Sequence, residues 1–132
     1  MMTQERRDEL MAKSMRQMRE ARAEHRAAAI AGHEAIKRLV IACGHKSGQS
    51  RTVRAALYSL WNGGARSLRE SVTGIDWSIK KDLCAVMLGF GFDGNEAVPS
   101  LWDDAIRKPF EAAGLWGWFL EEAELNEEEP ES

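Results

Sequence analysis

No run in this chain approaches the roughly 18 consecutive apolar residues that a membrane-spanning helix needs, so a bilayer protein is not expected. Cysteine is scarce: Cys43 and Cys84 alone cannot make a disulfide framework. The opening segment, Met1 to Glu9, mixes charges where a secretory leader would place a basic stretch before an apolar one. Free thiols and a cytoplasmic setting are the expectation. Proline occurs three times, which leaves long stretches free to be helical. No repeat of 20 to 50 residues recurs, which excludes a solenoid. With 132 residues there is room for one domain, since domains take about 100 to 200 residues, and a two-domain enzyme is excluded.

What is abundant is charge, unevenly placed. Residues 1–34 carry a net +1, residues 35–69 hold seven Lys/Arg and no acid, and residues 70–132 carry −11, within an overall −3. This asymmetry suits a charged partner, and it suits equally well two halves that fold together and neutralise one another.

From Thr3 to Cys43 the chain is rich in Ala, Arg, Glu and Met and has no proline, so it reads as one long helix or two in series broken at Gly32. Leu10, Met11, Met15, Met18, Ala21, His25, Ala28 and Ala29 trace a thin apolar stripe, interrupted by Arg22 where a coiled-coil seam would want an apolar residue. Ile36, Leu39, Val40 and Cys43 form a better face, and Gly44 is placed to end the helix. Ser50 is read as the cap of a helix to Trp61 in which Val53, Ala56, Leu57, Leu60 and Trp61 share one side, leaving Arg51, Arg54 and Tyr58 on the other. Asn62-Gly63-Gly64 stops it. Ser67 to Glu70 has capping-box spacing for a short helical turn closed by Gly74. Asp76 is a candidate cap for a helix with Ile79, Leu83, Val86, Met87 and Phe90 inward. A further helix starts near Pro99-Ser100 with Leu101, Trp102, Ala105 and Ile106, and Pro109 is expected to kink or divide it. The aromatic run Leu115 to Leu120 docks a last short element.

The prediction is an all-α fold: a small single-domain helical bundle of four to six helices with a long N-terminal helix. Its parts are a charged, projecting N-terminal helix over 1–31, a helical core over 32–120 and a disordered acidic tail over 121–132, where seven of twelve residues are glutamate. The expected core is Ile36, Leu39, Val40, Val53, Leu57, Leu60, Trp61, Ile79, Leu83, Val86, Met87, Leu101, Ile106 and Trp116.

Most motifs fail on their physics. Gly89-x-Gly91-x-x-Gly94 matches a dinucleotide fingerprint, which requires a strand before it and a helix at once after it, yet the preceding run continues a helical face. Gly44 to Ser50 lacks the Gly-Lys-Ser/Thr ending of a phosphate loop. His25, His33, His45, Cys43 and Cys84 do not supply four zinc ligands at a recognisable spacing. No serine or cysteine is marked with a histidine and an acid. No catalytic residue, metal or cofactor is therefore assigned, and the protein is not expected to be an enzyme. Two surfaces stand as candidates. Lys46, Ser50, Arg51, Arg54, Arg66 and Arg69 suit an anion or nucleic-acid phosphates, with residues 33–43 and 50–61 in an arrangement resembling a helix-turn-helix. Met11, Met15, Met18 and Arg22 suit a protein partner, because thioethers adapt to irregular surfaces.

Ser47-Gly48-Gln49-Ser50-Arg51-Thr52-Val53-Arg54, followed by Leu57 and Leu60-Trp61-Asn62, with Ile75-Asp76 and Asp82-Leu83 later, resembles a family of small proteins of unknown function encoded on bacterial plasmids, phages and integrative elements. The resemblance covers about residues 36–90. Ser47 stands where the family has threonine, and Ala65 to Thr73 lacks the family's Gly-Phe-Asp-Leu. It implies a mobile-element accessory protein and brings no catalytic residues. The leading expectation is binding without turnover to a host protein or nucleoprotein complex, as an inhibitor of host defence of the anti-CRISPR type. The alternative is a DNA- or RNA-binding accessory protein using the basic 35–69 segment.

Overall fold

The computed structural model describes residues 3–63, 67–90 and 99–128, and among them there are six helices and no strand. They are α1 (Gln4–Cys43), α2 (Gly48–Asn62), α3 (Leu68–Val72), α4 (Trp77–Gly89), α5 (Pro99–Ala112) and α6 (Trp116–Glu128). The fold is all-α with a long N-terminal helix, as the sequence predicts.

α1 runs for 40 residues, about 60 Å at 1.5 Å per residue. Thr3 starts it by accepting the Arg6 N–H on its Oγ1 at 3.2 Å. The expected break at Gly32 is absent, because that glycine serves packing instead. A Cβ on Gly32 would lie 2.9 Å from the Trp102 ring and 3.1 Å from the Ala85 carbonyl oxygen. Gly89 plays the reciprocal part on α4, where a Cβ would come within 2.7 Å of the Ala28 carbonyl carbon and 2.9 Å of Ala29 Cα. Ala28-x-x-x-Gly32 thus faces Ala85-x-x-x-Gly89, and the two backbones approach as only small residues allow. The pairings Arg38 with Asp82, Gly32 with Ala85 and Ala28 with Gly89 run in opposite senses, so α1 and α4 are antiparallel, and theirs is the most extensive helix contact. Gly89 of the apparent dinucleotide fingerprint therefore ends a helix; Gly91 and Gly94 lie outside the described residues.

α2 is central, packing on α1, α3, α5 and α6. Its cap is Ser47, not Ser50: the Ser47 Oγ accepts the Ser50 N–H, while Ser50 is buried and its hydroxyl donates to the Ala42 carbonyl at 3.1 Å. The turn before it holds Lys46 at φ 49, a left-handed conformation carried by a non-glycine residue. Ser67 caps α3 through the Glu70 N–H, as the capping-box spacing predicts. Asp76 occupies the cap position of α4, but its side chain makes no cap bond. Gln49 takes it instead, donating to the Asp76 carboxylate at 3.3 Å and accepting the Asp76 N–H at 2.8 Å, which ties the start of α2 to the start of α4. Pro109 lies inside α5 without dividing it; the helix forgoes only the bond a proline cannot donate. α5 ends in a Schellman turn, with Gly114 at φ 72, Gly114 N–H on Glu111 and Leu115 N–H on Phe110.

The acidic tail needs correction. Residues 121–128, expected to be disordered, continue α6, and Glu122 is buried. Glutamate is a good helix former, and Arg54 supplies the counter-charge that lets Glu122 turn inward.

Of the expected core, Ile36, Leu39, Val40, Val53, Leu57, Leu83, Val86 and Ile106 are buried, and Leu60, Trp61, Ile79 and Trp116 pack partly buried against it. Met87 is half-buried, and the Leu101 side chain lies outside the described set. The largest buried side chains are Trp102, Phe110 and Phe119. Phe119 joins Tyr58, Trp61, Phe110 and Trp116 in an aromatic cluster with centroid separations of 4.6 to 5.8 Å.

Candidate functional site

An α-helix repeats its orientation after 18 residues, five full turns. By that rule Met11 lies in line with Ala29, Met18 with Ile36, Arg22 with Val40 and His25 with Cys43. The second member of each pair is buried, and Met11, Met18, Arg22 and His25 are exposed. Every residue from Thr3 to Ala27 is exposed, so roughly 36 Å of α1 stands clear of the bundle at 1.5 Å per residue. The face that forms the core thus continues into solvent as Met11, Met15 and Met18, beside Leu10. A hollow lined by Leu10, Met15, Arg16 and Arg19 among others belongs to this one helix, so it is a surface and not a cavity.

The basic segment is dispersed by folding. Arg54, expected on a polar surface, is 3% exposed. Its Nε donates to Glu122 at 3.1 Å, its Nη1 donates to the Trp118 carbonyl at 3.0 Å and lies 3.8 Å from Glu121, and its guanidinium stacks 4.5 Å from the Trp118 ring centre. It clamps α6 onto α2 and is not available to a phosphate. Tyr58 beside it is buried as well, against Trp61 and Phe119. Residues 53–58 of α2 are all buried, so the proposed second helix of a helix-turn-helix keeps only its ends, at Arg51 and Asn62, exposed. Ser50 is likewise internal. Arg38 is held by Asp82 at 2.9 Å, which raises its pKa through the hydrogen bond and the opposite charge, and Lys37 pairs with Glu34 at 3.1 Å. Lys46, Arg51 and Arg69 remain exposed, with no side-chain ion pair among the described residues. Arg66 lies outside them.

Cys43 is buried with its thiol directed at the Ser50 carbonyl, 3.8 Å away, and burial pushes its pKa up to about 12. It is held as the thiol and lacks the thiolate a nucleophile requires. Among the described residues, no three His, Cys, Asp or Glu side chains gather in a way that would hold a metal ion. A groove of about 480 Å³ between α1 and α5 is lined by Ile30, His33, Lys37, Asp104 and Lys108 among others. His33 packs edge-on against Trp102, and its Nε2 is buried with no hydrogen-bond partner among the described residues. A second groove of about 600 Å³ follows α4. Within the described residues no helix is long and apolar enough to cross a membrane.

Sequence reasoning missed the Arg54 clamp, whose partners are 64 to 68 positions away. It also missed the second groove, although Trp77 at the start of an amphipathic helix was a visible signal.

Comparison with known proteins adds a family without an assigned activity. The model of a family of unknown function, DUF7673, matches residues 33–117. No curated protein and no solved structure matches. The matched segment begins one residue after Gly32, so the projecting part of α1 lies outside it, as do Trp118, Glu121 and Glu122. Over the greater part of its length, from the buried half of α1 to the start of α6, the chain belongs to the family of unknown function DUF7673.

Proposed function

We propose that this protein is a non-catalytic binding module that grips a partner protein, alone or within a nucleoprotein complex, along the projecting part of α1. The observation that carries the reading is the five-turn alignment of Met11 with Ala29 and Met18 with Ile36: a core-type face continues into a stretch whose Met11, Met15 and Met18 are exposed among the described residues. Methionines suit that task, since they fill irregular gaps without a fixed shape. Arg22, on the same face, adds a charged hydrogen-bonding group. The setting we propose is a bacterial mobile element and the cytoplasm of its host. There the protein acts as an accessory factor, with inhibition of a host defence complex, including the anti-CRISPR type, as the specific role.

The test is recovery of tagged full-length protein from host lysate, with and without nuclease, beside a Met11→Ser, Met15→Ser, Met18→Ser variant. A nuclease-resistant protein retained by the natural chain and lost from the variant is the expected result. A partner held equally by both sinks the reading.

A second reading, nucleic-acid binding, is favoured by one observation: Lys46, Arg51 and Arg69 stay exposed without acidic partners among the described residues. If it holds, Arg51→Glu weakens binding to a DNA duplex and reduces its salt slope by about one.

A further inference from the structure

α4 has two faces. Leu83, Val86 and Gly89 are buried in the bundle. Opposite them, Trp77, Lys81, Cys84 and Leu88 fall at i, i+4, i+7 and i+11 and are all exposed. Trp77 is 73% and Leu88 79% exposed, unusual for large apolar side chains. With Val72 from α3 they line the groove of about 600 Å³, and among the described residues its charged lining is Lys80 and Lys81, with no acid. Asp82, next along the helix, is held by Arg38.

We propose that this groove receives an acidic amphipathic helix of a partner protein. The apolar line extends about 16 Å, three helical turns, which matches the i, i+4, i+7 anchors by which one helix lies on another. Trp77 provides a large anchor at one end, and Trp is the residue type most often dominant in such contacts. Lys80 and Lys81 select glutamate or aspartate on the flanks of the incoming helix. A nucleic acid fits poorly, since two lysines stand over an apolar floor. A second copy of this chain fits poorly too: its own acidic helix, α6, spends Phe119 and Glu122 on its core and leaves Leu120 and Leu125 pointing about 140° apart.

Cys84 sits inside the groove and Cys43 is buried, so alkylation of Cys84 by iodoacetamide reports occupancy of this surface alone. The probe is a 16-residue helical peptide with leucine at i, i+4, i+7 and i+11 and glutamate on its flanks; the control carries lysine in place of glutamate. At a concentration about four times its Kd, the glutamate peptide slows alkylation of the full-length protein about fivefold, as mass action requires. The lysine peptide does not slow it. Trp77→Ala, at an exposed position, and the pair Lys80→Glu, Lys81→Glu, at a half-buried and an exposed position, abolish protection while leaving the melting temperature in place. Protection by both peptides, or by neither, overturns the proposal. So do a Trp77-dependent dimer in sedimentation and protection by phosphatidylserine vesicles without protection by the peptide, which assign the groove to a second copy or to a lipid surface. Protection persists in the Met11, Met15, Met18 variant, so this inference and the role of α1 stand or fall separately.

Discussion

Residues 4–27 and 28–43 belong to one continuous helix and present one continuous face, yet the first stretch is solvated and the second is the spine of the core. The chemistry of the face changes at the boundary. The buried part is built from Ala29, Gly32, Ala35, Ile36, Leu39 and Val40, mostly small or branched residues that pack closely against α4 and α5. The solvated part carries Met11, Met15, Met18, Arg22 and His25 in the same orientation, adaptable thioethers interleaved with polar groups. Helix geometry alone does not decide what is buried; the second helix that arrives does.

The largest effects are expected where that second helix is present. Ile36→Ala lowers unfolding free energy by about 2–5 kcal/mol. Met18→Ala, five turns earlier on the same azimuth, changes it by less than about 0.5 kcal/mol. Urea denaturation of the two variants makes the comparison directly, and equal losses would mean that the projecting stretch is covered. Removing one side of the α2–α6 clamp is of similar size: Arg54→Met strands Glu122 and costs about 3–5 kcal/mol, and adding Glu122→Leu restores much of it.

Next in size, Gly89→Ala drives a methyl into the Ala28 backbone and destabilises by about 1–3 kcal/mol, the usual cost of overpacking. Ser14→Ala, in the solvated half, is neutral or slightly stabilising. Hydrogen exchange sharpens the contrast without mutation: amides of residues 8–27 exchange through local fraying, whereas those of 32–43 require opening of the bundle.

Cys43 adds a pH dependence. Its folded pKa of about 12 stands above the ordinary value of 9.0, so the native state holds the proton more tightly. This contribution is whole below about pH 9 and is lost as pH rises toward 12. Cys43→Ala therefore flattens the fall in urea midpoint over that window, and an unchanged slope would contradict the burial of the thiol. Smallest of all, Lys46→Gly relieves a left-handed lysine and changes stability by under about 1 kcal/mol.

Much of this fold was legible in the sequence. Periodicity identified the inward faces of α2 and α4, and Ser67, Gly63 and Gly74 marked ends correctly because caps and turns are local chemistry. What escaped depended on distant neighbours. Gly32 reads as a helix breaker until Trp102 and Ala85 are seen against it. Arg54 reads as surface because it lies on the polar arc of α2, and α6, arriving more than 60 positions later, covers that arc. The glutamates of α6 read as a tail for the same reason. Of the candidate residues, the exposure of Met11, Met15 and Met18 was legible, whereas the state of Arg54 was not, because burial by α6 overrode the polar pattern.

The antiparallel crossing of Ala28 and Gly32 with Ala85 and Gly89 lies at the base of the projecting helix. Mechanically, α1 is a cantilever about 36 Å long whose fixed end is a contact with almost no side-chain padding. A transverse load near Gln4 is converted at that end into torque between two backbones, and rolling the helix by even part of a turn drives other side chains into the space that Gly32 leaves for the Trp102 ring. The free arm is thus rigidly indexed to the bundle: its orientation is set within the core, not by hinges along its length.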